Sequence, residues 1–568
     1  MDIIIAQFPN KTIEIAPLGS SILIGSLRQR GYSVKQYDLN IVLKDELLKS
    51  VNLYNLYNKF LPELLKHDFT NSNYNVLKSF YRILDSIEKN HSIERIEFVK
   101  ELLQRRKYIE VFQDETNTKI FESMLNILTI SNKFFEIIIL NDVIEKDFKD
   151  IFVYRVVDKY LQEFCDINPK IIGFSTVQMQ RKFTLWAAKR LKVKFNFKRN
   201  VMIGGSDVTY YKEKYLKYFD YVDFAIYQEG ELAIEKLIDY IDNTCKLEDV
   251  PNLIYRKGHE IVCNKSITPH DFDKIIPDFD DLDLDKYITN ALPMQVSRGC
   301  SWGKCTYCKH FRTYGEKYYF GDINNIVDII EVLVKKYSTN LFHFVDDDFP
   351  KPLKNKFCDE IIDRELDIRW LTYSRLDKGI CKEDLEKWFK AGLRVIEWGL
   401  ESASQKVLNS VNKGINIENI KRLLFEANDI GFLNKLFMFH NLPEEDYDDL
   451  YESILFLKKF VRHKIVRPFW EISTPLELLE GTPLYEESLV NSVFKKVYLS
   501  RGELLSKASY IHKKDYRIKK DIFNKEFDGV EEFYKKQGVL NVNDEAIMFD
   551  VIIDELSKKH KLYAKVRL

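Results

Sequence analysis

Apolar positions run almost unbroken over 2–7 and stop at Pro9. Pro17-Leu18-Gly19 then opens a helix over 20–30 that halts at Gly31, and 34–38 is a second strand. From 41 to 164 the pattern changes. Leu, Ile and Phe recur at helical spacing among Lys and Glu, and no glycine interrupts them. The strand–helix rhythm resumes with strands over 171–175, 201–203 and 222–227, and with a helix over 183–191. The last two strands run into Gly204-Gly205 and Gln228-Glu229-Gly230-Glu231. This order predicts an α/β fold: a doubly wound, flavodoxin- or Rossmann-like parallel sheet over 1–245, with a helical insertion over 41–165.

A second rhythm begins at Met294. Strands are expected over 294–297, 341–345, 369–374, 394–399, 435–439 and 470–476. Helices are expected between them over 323–336, 354–365, 382–391, 417–428 and 448–460. Six βα units in series predict a partial or complete barrel of the TIM type over 293–500. A connector over 246–292 would precede it, and a small α-rich domain over 501–568 would follow. In such a barrel, active groups gather at the carboxyl ends of the strands.

Composition narrows the class. The chain has 568 residues, 45% of them hydrophobic, enough for several buried cores. Lys and Arg number 86 against 87 Asp and Glu, so no overall field attracts a polyanion and nucleic acid is not an expected partner. No apolar run reaches the length of a membrane span, and the start reads as a buried strand rather than a secretion signal. The expected location is cytoplasmic. Eight scattered cysteines fit a reducing compartment better than a disulfide framework.

Three of those cysteines are clustered. Cys300, Cys305 and Cys308 lie in SRGCSWGKCTYC. A four-iron cluster held by three thiolates keeps one iron open to a ligand that is not protein. Structural zinc, with His310 as a fourth ligand, is the alternative. Tight Cys/His knuckles usually come as two ligand pairs, however, and no second C-x-x-C occurs in the chain.

Other reactive groups fall at the expected strand ends. Asp346-Asp347-Asp348 follows the second barrel strand, Arg375 the third, Gly399-Leu400-Glu401-Ser402 the fourth, His440-Asn441 the fifth, and Glu477 lies near the sixth. Each alone reads as a cap or a turn. Together they sit where barrel chemistry belongs.

On these residues the chain resembles the cobalamin-binding subgroup of radical S-adenosylmethionine enzymes, over 1–40 and 165–485. The cysteine loop, VDDDF, WGLESASQKVLNSVNKG and EGTPLYEE carry the resemblance in the barrel. IAPLGSSILIGSLRQRGYSVKQYDLN, IIGFST, VMIGGSDVT and YQEGE carry it in the sheet. The resemblance implies that Cys300, Cys305 and Cys308 hold a 4Fe-4S cluster whose open iron chelates S-adenosylmethionine. Tyr307 would lie near the adenine, and Asp347, Arg375, Glu401 and Ser402 would meet the same cofactor. Ser175, Thr176, Gly204, Gly205 and Glu229 would line a cobalamin site, the hydroxyls bonding the nucleotide tail and the glycines letting it pass.

Three departures from the family pattern stand out. The cysteine spacing is C-x4-C-x2-C rather than C-x3-C-x2-C, with Gly303 expected to absorb the extra residue. The usual Gly-Leu-Pro-Gly-Glu-Thr after the fifth strand reads His440-Asn441-Leu442-Pro443-Glu444-Glu445, so His440 is given no role. The loop over 8–19 has no histidine to sit below cobalt, whose lower face is expected to be empty or to face Asn10, Lys11 or backbone.

The implied activity is methylation of an unactivated carbon on a peptide or natural-product small molecule. The electron would come from a donor such as flavodoxin or ferredoxin. The same motifs suit a radical cyclase, epimerase or rearrangement enzyme without methyl transfer. A non-catalytic cobalamin sensor would leave the cysteine trio without a purpose. A methylthiolating enzyme would carry an earlier cysteine trio, and no cysteine precedes Cys165.

Overall fold

The computed structural model describes residues 1–9, 15–66, 71–104, 114–140, 149–268, 271–463, 465, 476–479, 481–491, 494–497 and 507–510. The chain divides into two units, 1–269 with 275–290, and 270–274 with 291–568.

The first unit is built on seven strands: β1 (Ile3–Gln7), β2 (Val34–Asp38), β3 (Ile171–Ser175), β4 (Asn200–Gly204), β5 (Phe224–Ile226), β6 (Leu253–Lys257) and β7 (Glu260–Cys263). Their order is β2-β1-β3-β4-β5-β6-β7, parallel as far as β5. Every residue of β1 is buried, as a central parallel strand covered on both faces requires. Strand order reverses between β1 and β3, which makes their carboxyl ends a switch point, the usual ligand crevice of open α/β sheets. Ile3, Ile5, Ile171 and Met202 on these strands pack against Ile24, Leu27 and Leu237 of the covering helices.

Between β2 and β3 the described elements are all helical, running from Leu39–Leu47 to Phe152–Ile167. Helices Asn71–Asn90 and Glu115–Ile139 meet through stacked Phe80 and Phe134, 4.7 Å apart. The expected connector, 246–292, is divided between the units. Strands β6 and β7 extend the first sheet antiparallel. Residues 275–290 stay with that unit: Arg28 holds Asp278 and Asp281 at 2.8 and 2.6 Å, and the Tyr287 hydroxyl donates to Asp38 at 2.7 Å. These partners lie some 250 residues apart in sequence (|i−j| = 249 to 253), beyond any local pattern.

The second unit contains β8 (Leu292–Met294), β9 (Ser297–Arg298), β10 (Tyr319–Phe320), β11 (Leu341–Phe344), β12 (Arg369–Arg375), β13 (Leu393–Glu401) and β14 (Leu433–Met438). Five of them form a parallel sheet in the order β14-β13-β12-β11-β8. The helices between have clear stops and starts. Asp322 caps Ile323–Tyr337 through the Asn324 amide, and Asn416 caps Ile417–Ile430, which ends at Gly431. Phe344, Phe357 and Trp370 pack edge to face at 5.1–5.3 Å between sheet and outer helix.

The expected sixth barrel strand lies mostly outside the described residues. Beyond it, β15 (Glu477–Leu478), β16 (Phe494–Val497) and β17 (Lys507–Tyr510) form a small antiparallel sheet. Glu477 sits on β15; the residues over 470–475 that would precede it as the sixth barrel strand lie outside the described residues. The expected α-rich C-terminal domain falls outside the described residues apart from β17.

Candidate active site

The cysteine loop follows β8 and β9 and is pinned from two sides. Gly303 has φ +59°, a left-handed turn that accommodates the longer first gap, as expected of that glycine. The Trp302 indole N–H donates to the Asn412 carbonyl at 2.8 Å, and the Thr306 amide to the Val411 carbonyl at 3.1 Å. A Cβ on Gly414 would sit 2.2 Å from the Trp302 ring, so the close approach needs glycine there. From the other side, the Leu484 amide donates to the Thr306 carbonyl at 2.9 Å, which ties EGTPLYEE to the loop.

The strand ends converge on this loop. At Glu401 the register of β13 slips and φ is +69°, a strained value for a non-glycine residue. Its carboxylate meets Lys413 Nζ at 2.6 Å, with both side chains under 10% exposed (9% and 7%). Burial opposes the Lys413 charge, but Glu401 outweighs it and raises the lysine's pKa. Arg375 lies over the Trp302 ring at 4.8 Å and donates to the Lys413 carbonyl at 2.8 Å. Tyr307 is half-buried, edge-on to Phe439 at 5.1 Å; desolvation first, then the nearby Glu401 charge, holds its hydroxyl protonated.

The three aspartates divide their work. Asp346 accepts from the amides of Val296 and Ser297 and from the Ser297 hydroxyl, bracing the start of the loop. Asp348 accepts from the Ser301 amide at 3.2 Å, and its other oxygen is buried without a protein partner. Asp347 meets His310 Nδ1 at 2.9 Å. His310 is thus occupied by a carboxylate.

The donor set fits an iron–sulfur cluster. Burial raises the Cys308 thiol to about 12 and pushes Cys300 up as well, so both would lose protons on metal binding. Several groups favour the thiolate form: the amides of Gly303 and Trp302 and the charge of Arg375 at Cys300, and the amide of His310 at Cys308. Amide and cationic groups around sulfur are what a negatively charged cluster needs. Among the described residues, no three His, Cys, Asp or Glu side chains are grouped as ligands of one ion.

Two of the expected cofactor contacts also hold protein groups. Ser402 is buried, with its hydroxyl 3.2 Å from that of Ser453 and accepting from the Ser404 amide. The turn at Glu401 brings it against the helix Tyr447–Arg462. In the first unit, Thr176 is fully buried and its hydroxyl donates to that of Thr184 at 3.2 Å. Gly205, at φ +106°, packs against the Thr176 backbone, where a Cβ would come within 2.4 Å of the carbonyl. The Thr176 amide donates to the Gly204 carbonyl at 2.8 Å. Ser175 is half-buried at the end of β3. Glu229 is buried, with its carbonyl accepting from Asn252 at 2.9 Å. Asn10 and Lys11 lie outside the described residues.

Sequence reasoning missed Lys413, Trp302 and Glu445. Aligned on the shared Leu-Pro, Asn441 and Glu444 occupy the positions of the family's two glycines. Both keep positive φ, +67° and +58°. Glu445 holds this turn by accepting from the amides of Asn441 and Leu442.

The second unit thus presents three cysteines on the loop after the first strands of a five-stranded parallel sheet, beside a buried Glu–Lys pair. A family model described as the radical SAM superfamily matches residues 294–457. An uncharacterized methyltransferase of Pyrococcus horikoshii is 26% identical over 335 residues, covering 57% of this chain and 71% of that protein. An anaerobic magnesium-protoporphyrin IX monomethyl ester cyclase of Rubrivivax gelatinosus is 26% identical over 383 residues, covering 62% of this chain and 66% of the cyclase, just under two thirds. The structure of the radical S-adenosylmethionine methyltransferase TsrM from Kitasatospora setae, with cobalamin and a 4Fe-4S cluster bound, superposes with a TM-score of 0.57 at 12% identity, covering 100% of this chain and 98% of that one. Residues 294–457 thus resemble the radical SAM superfamily, and the chain has the fold of the cobalamin-dependent radical S-adenosylmethionine methyltransferase TsrM. No described helix is long and apolar enough to cross a membrane.

Proposed function

We propose that this protein uses a 4Fe-4S cluster, S-adenosylmethionine and cobalamin to methylate an unactivated carbon of a peptide or small-molecule substrate. The carrying observation is the loop of Cys300, Cys305 and Cys308 held against the strand end that presents Glu401. When bound, these cofactors supply one-electron cleavage of a sulfonium and a transferable methyl group. The three cysteines would hold the cluster. Glu401 and Arg375 offer a carboxylate and a guanidinium to the amino and carboxylate groups of S-adenosylmethionine, while Tyr307 and Phe439 form a flat apolar edge for its adenine. Asp347 orients His310 beside the last cysteine. In the first unit, the carboxyl ends of β3 and β4, with Ser175, Gly204, Gly205 and Glu229, would border the cobalamin. A flavodoxin or ferredoxin would deliver the electron.

The likeness to a cyclase supports a second reading, in which substrate oxidation proceeds without methyl transfer. The two separate in one experiment. Protein loaded anaerobically with iron, sulfide and cobalamin is given methyl-deuterated S-adenosylmethionine and a cell extract as substrate source, and products are read by mass spectrometry. Methylation predicts about one cobalamin retained per chain and label in an extract component. Cleavage of S-adenosylmethionine with unlabelled, dehydrogenated product supports the cyclase reading instead.

A further inference from the structure

Side chains on the barrel strands alternate between the outer helices and the barrel interior. Phe344 and Trp370 face outward, packed on the helix Lys351–Asp363. The opposite face carries His343 on β11, Tyr373 on β12, Glu397 on β13 and Lys435 on β14. Register pairs Tyr373 with Glu397 and Glu397 with Lys435. Arg375 and Gly399 are paired two residues further along. The Glu397 row therefore lies about 7 Å deeper in the barrel than the Arg375 row.

This inner layer is dry and polar. Glu397 is fully buried, and Lys435 and His343 are each only 7% exposed. Lys435 Nζ approaches Glu397 Oε1 at 3.4 Å. Glu397 Oε2 and His343 Nε2 are left buried with no protein partner. His343 pairs with Leu371, one row deeper than Tyr373 and Glu397. Buried polar atoms are almost always hydrogen-bonded, so these two orphans in adjacent rows mark where a water or a bound guest would complete the bonding. Charge and shape restrict what fills it. Glu397 and Lys435 cancel. Burial lowers His343 to about 4, with the Glu397 charge only partly opposing it, so its ring is neutral. A charged guest would leave an unbalanced charge in a dry site, whereas a neutral one would not. Carboxylate Oε2 can only accept, so the guest must donate. The Tyr373 ring stands 5.6 Å from both His343 and Phe437, forming flat walls.

We propose that Glu397 Oε2 and His343 Nε2 grip the substrate, and that the substrate presents to them a neutral N–H or O–H group on a flat, apolar part. This rests on the barrel being the reaction chamber of the proposed function. His343, Glu397 and Lys435 are positioning residues: they would set which carbon of the substrate is held for reaction.

The test uses full-length, anaerobically reconstituted protein and two probes, indole and 1-methylindole, which differ in the N–H donor. Binding is read by saturation-transfer NMR, so no turnover is needed. Indole is expected to bind at least about tenfold tighter than 1-methylindole. Two variants should erase that preference: His343→Phe, and the double change Glu397→Leu with Lys435→Met, which strands no buried charge. Thermal midpoints identify any variant that is unfolded, and His343→Phe and the double variant then stand in for each other. Equal binding of the two probes, no binding of either, or a preference that survives both folded variants overturns the proposal. Cleavage of S-adenosylmethionine is measured on the same wild-type preparation. Absent cleavage with a retained indole preference refutes the reaction and leaves the grip; cleavage without the preference does the reverse.

Discussion

Lys413→Met puts the buried ion pair at the barrel mouth to a quantitative test. Lys413 Nζ lies 2.6 Å from Glu401 Oε1, and the two side chains are 7% and 9% exposed. Exposed pairs contribute about 0–1 kcal/mol, but that scale does not apply to groups so far from water. Removing one partner of a buried pair leaves the other charge uncompensated, at a typical cost of about 3–5 kcal/mol. Methionine keeps most of the lysine's volume, so packing is nearly preserved and the loss is mainly electrostatic. The double variant Lys413→Met, Glu401→Leu strands no charge and is expected to recover most of the loss. Urea unfolding at pH 7.5, followed by tryptophan fluorescence, reads this directly, because Trp302 lies beside the pair through its contacts with Asn412 and Arg375. A cost below about 1 kcal/mol for the single variant would refute the reasoning, since that is the range of solvated pairs.

Other outcomes follow from the same geometry. His343 titrates near 6.5 when unfolded and is held to about 4 by burial, so the stability it contributes is present above pH 6.5 and is lost as pH falls towards 4. That loss is about 3 kcal/mol at most, and His343→Phe should flatten the pH dependence of the urea midpoint over this window. Gly414→Ala drives a methyl into the Trp302 ring at φ +72°, so a cost of about 1–3 kcal/mol and a lower iron content per chain after reconstitution are expected. Ser402→Ala removes a buried hydroxyl contact to Ser453, so equilibrium dialysis should show unchanged S-adenosylmethionine affinity while stability falls by about 1 kcal/mol.

Much of this was legible in the chain because its signals are local. Apolar runs such as 3–7 and 171–175 are buried on both faces and read as strands without tertiary help. The helices at 323 and 417 begin at a side chain that caps them. Gly303 could be assigned its turn because an extra residue in a short loop needs a left-handed position. What escaped is contact between distant segments. Lys413 looks like a solvated lysine until Glu401 is seen to need a counter-charge. The Asp-rich stretch at 278–281 reads as a linker, yet Arg28 anchors it to the first unit. The hydrogen bonds of Ser402 to Ser453 and of Thr176 to Thr184 escaped for the same reason: motif position says where a hydroxyl lies along the chain, not which neighbour it bonds. The left-handed turns at Asn441 and Glu444 show a backbone shape persisting without its glycines, secured by Glu445, a residue three or four positions away.

The central claim is that three thiolates hold a four-iron cluster whose remaining iron binds S-adenosylmethionine. The direct measurement is electron paramagnetic resonance of the anaerobically reconstituted, dithionite-reduced protein, with and without S-adenosylmethionine, alongside iron and sulfide analysis. Expected are about four irons per chain, a reduced-cluster signal that changes when S-adenosylmethionine is added, and loss of both in the Cys300, Cys305, Cys308→Ala variant. A signal indifferent to S-adenosylmethionine, or full iron content in the alanine variant, would contradict it.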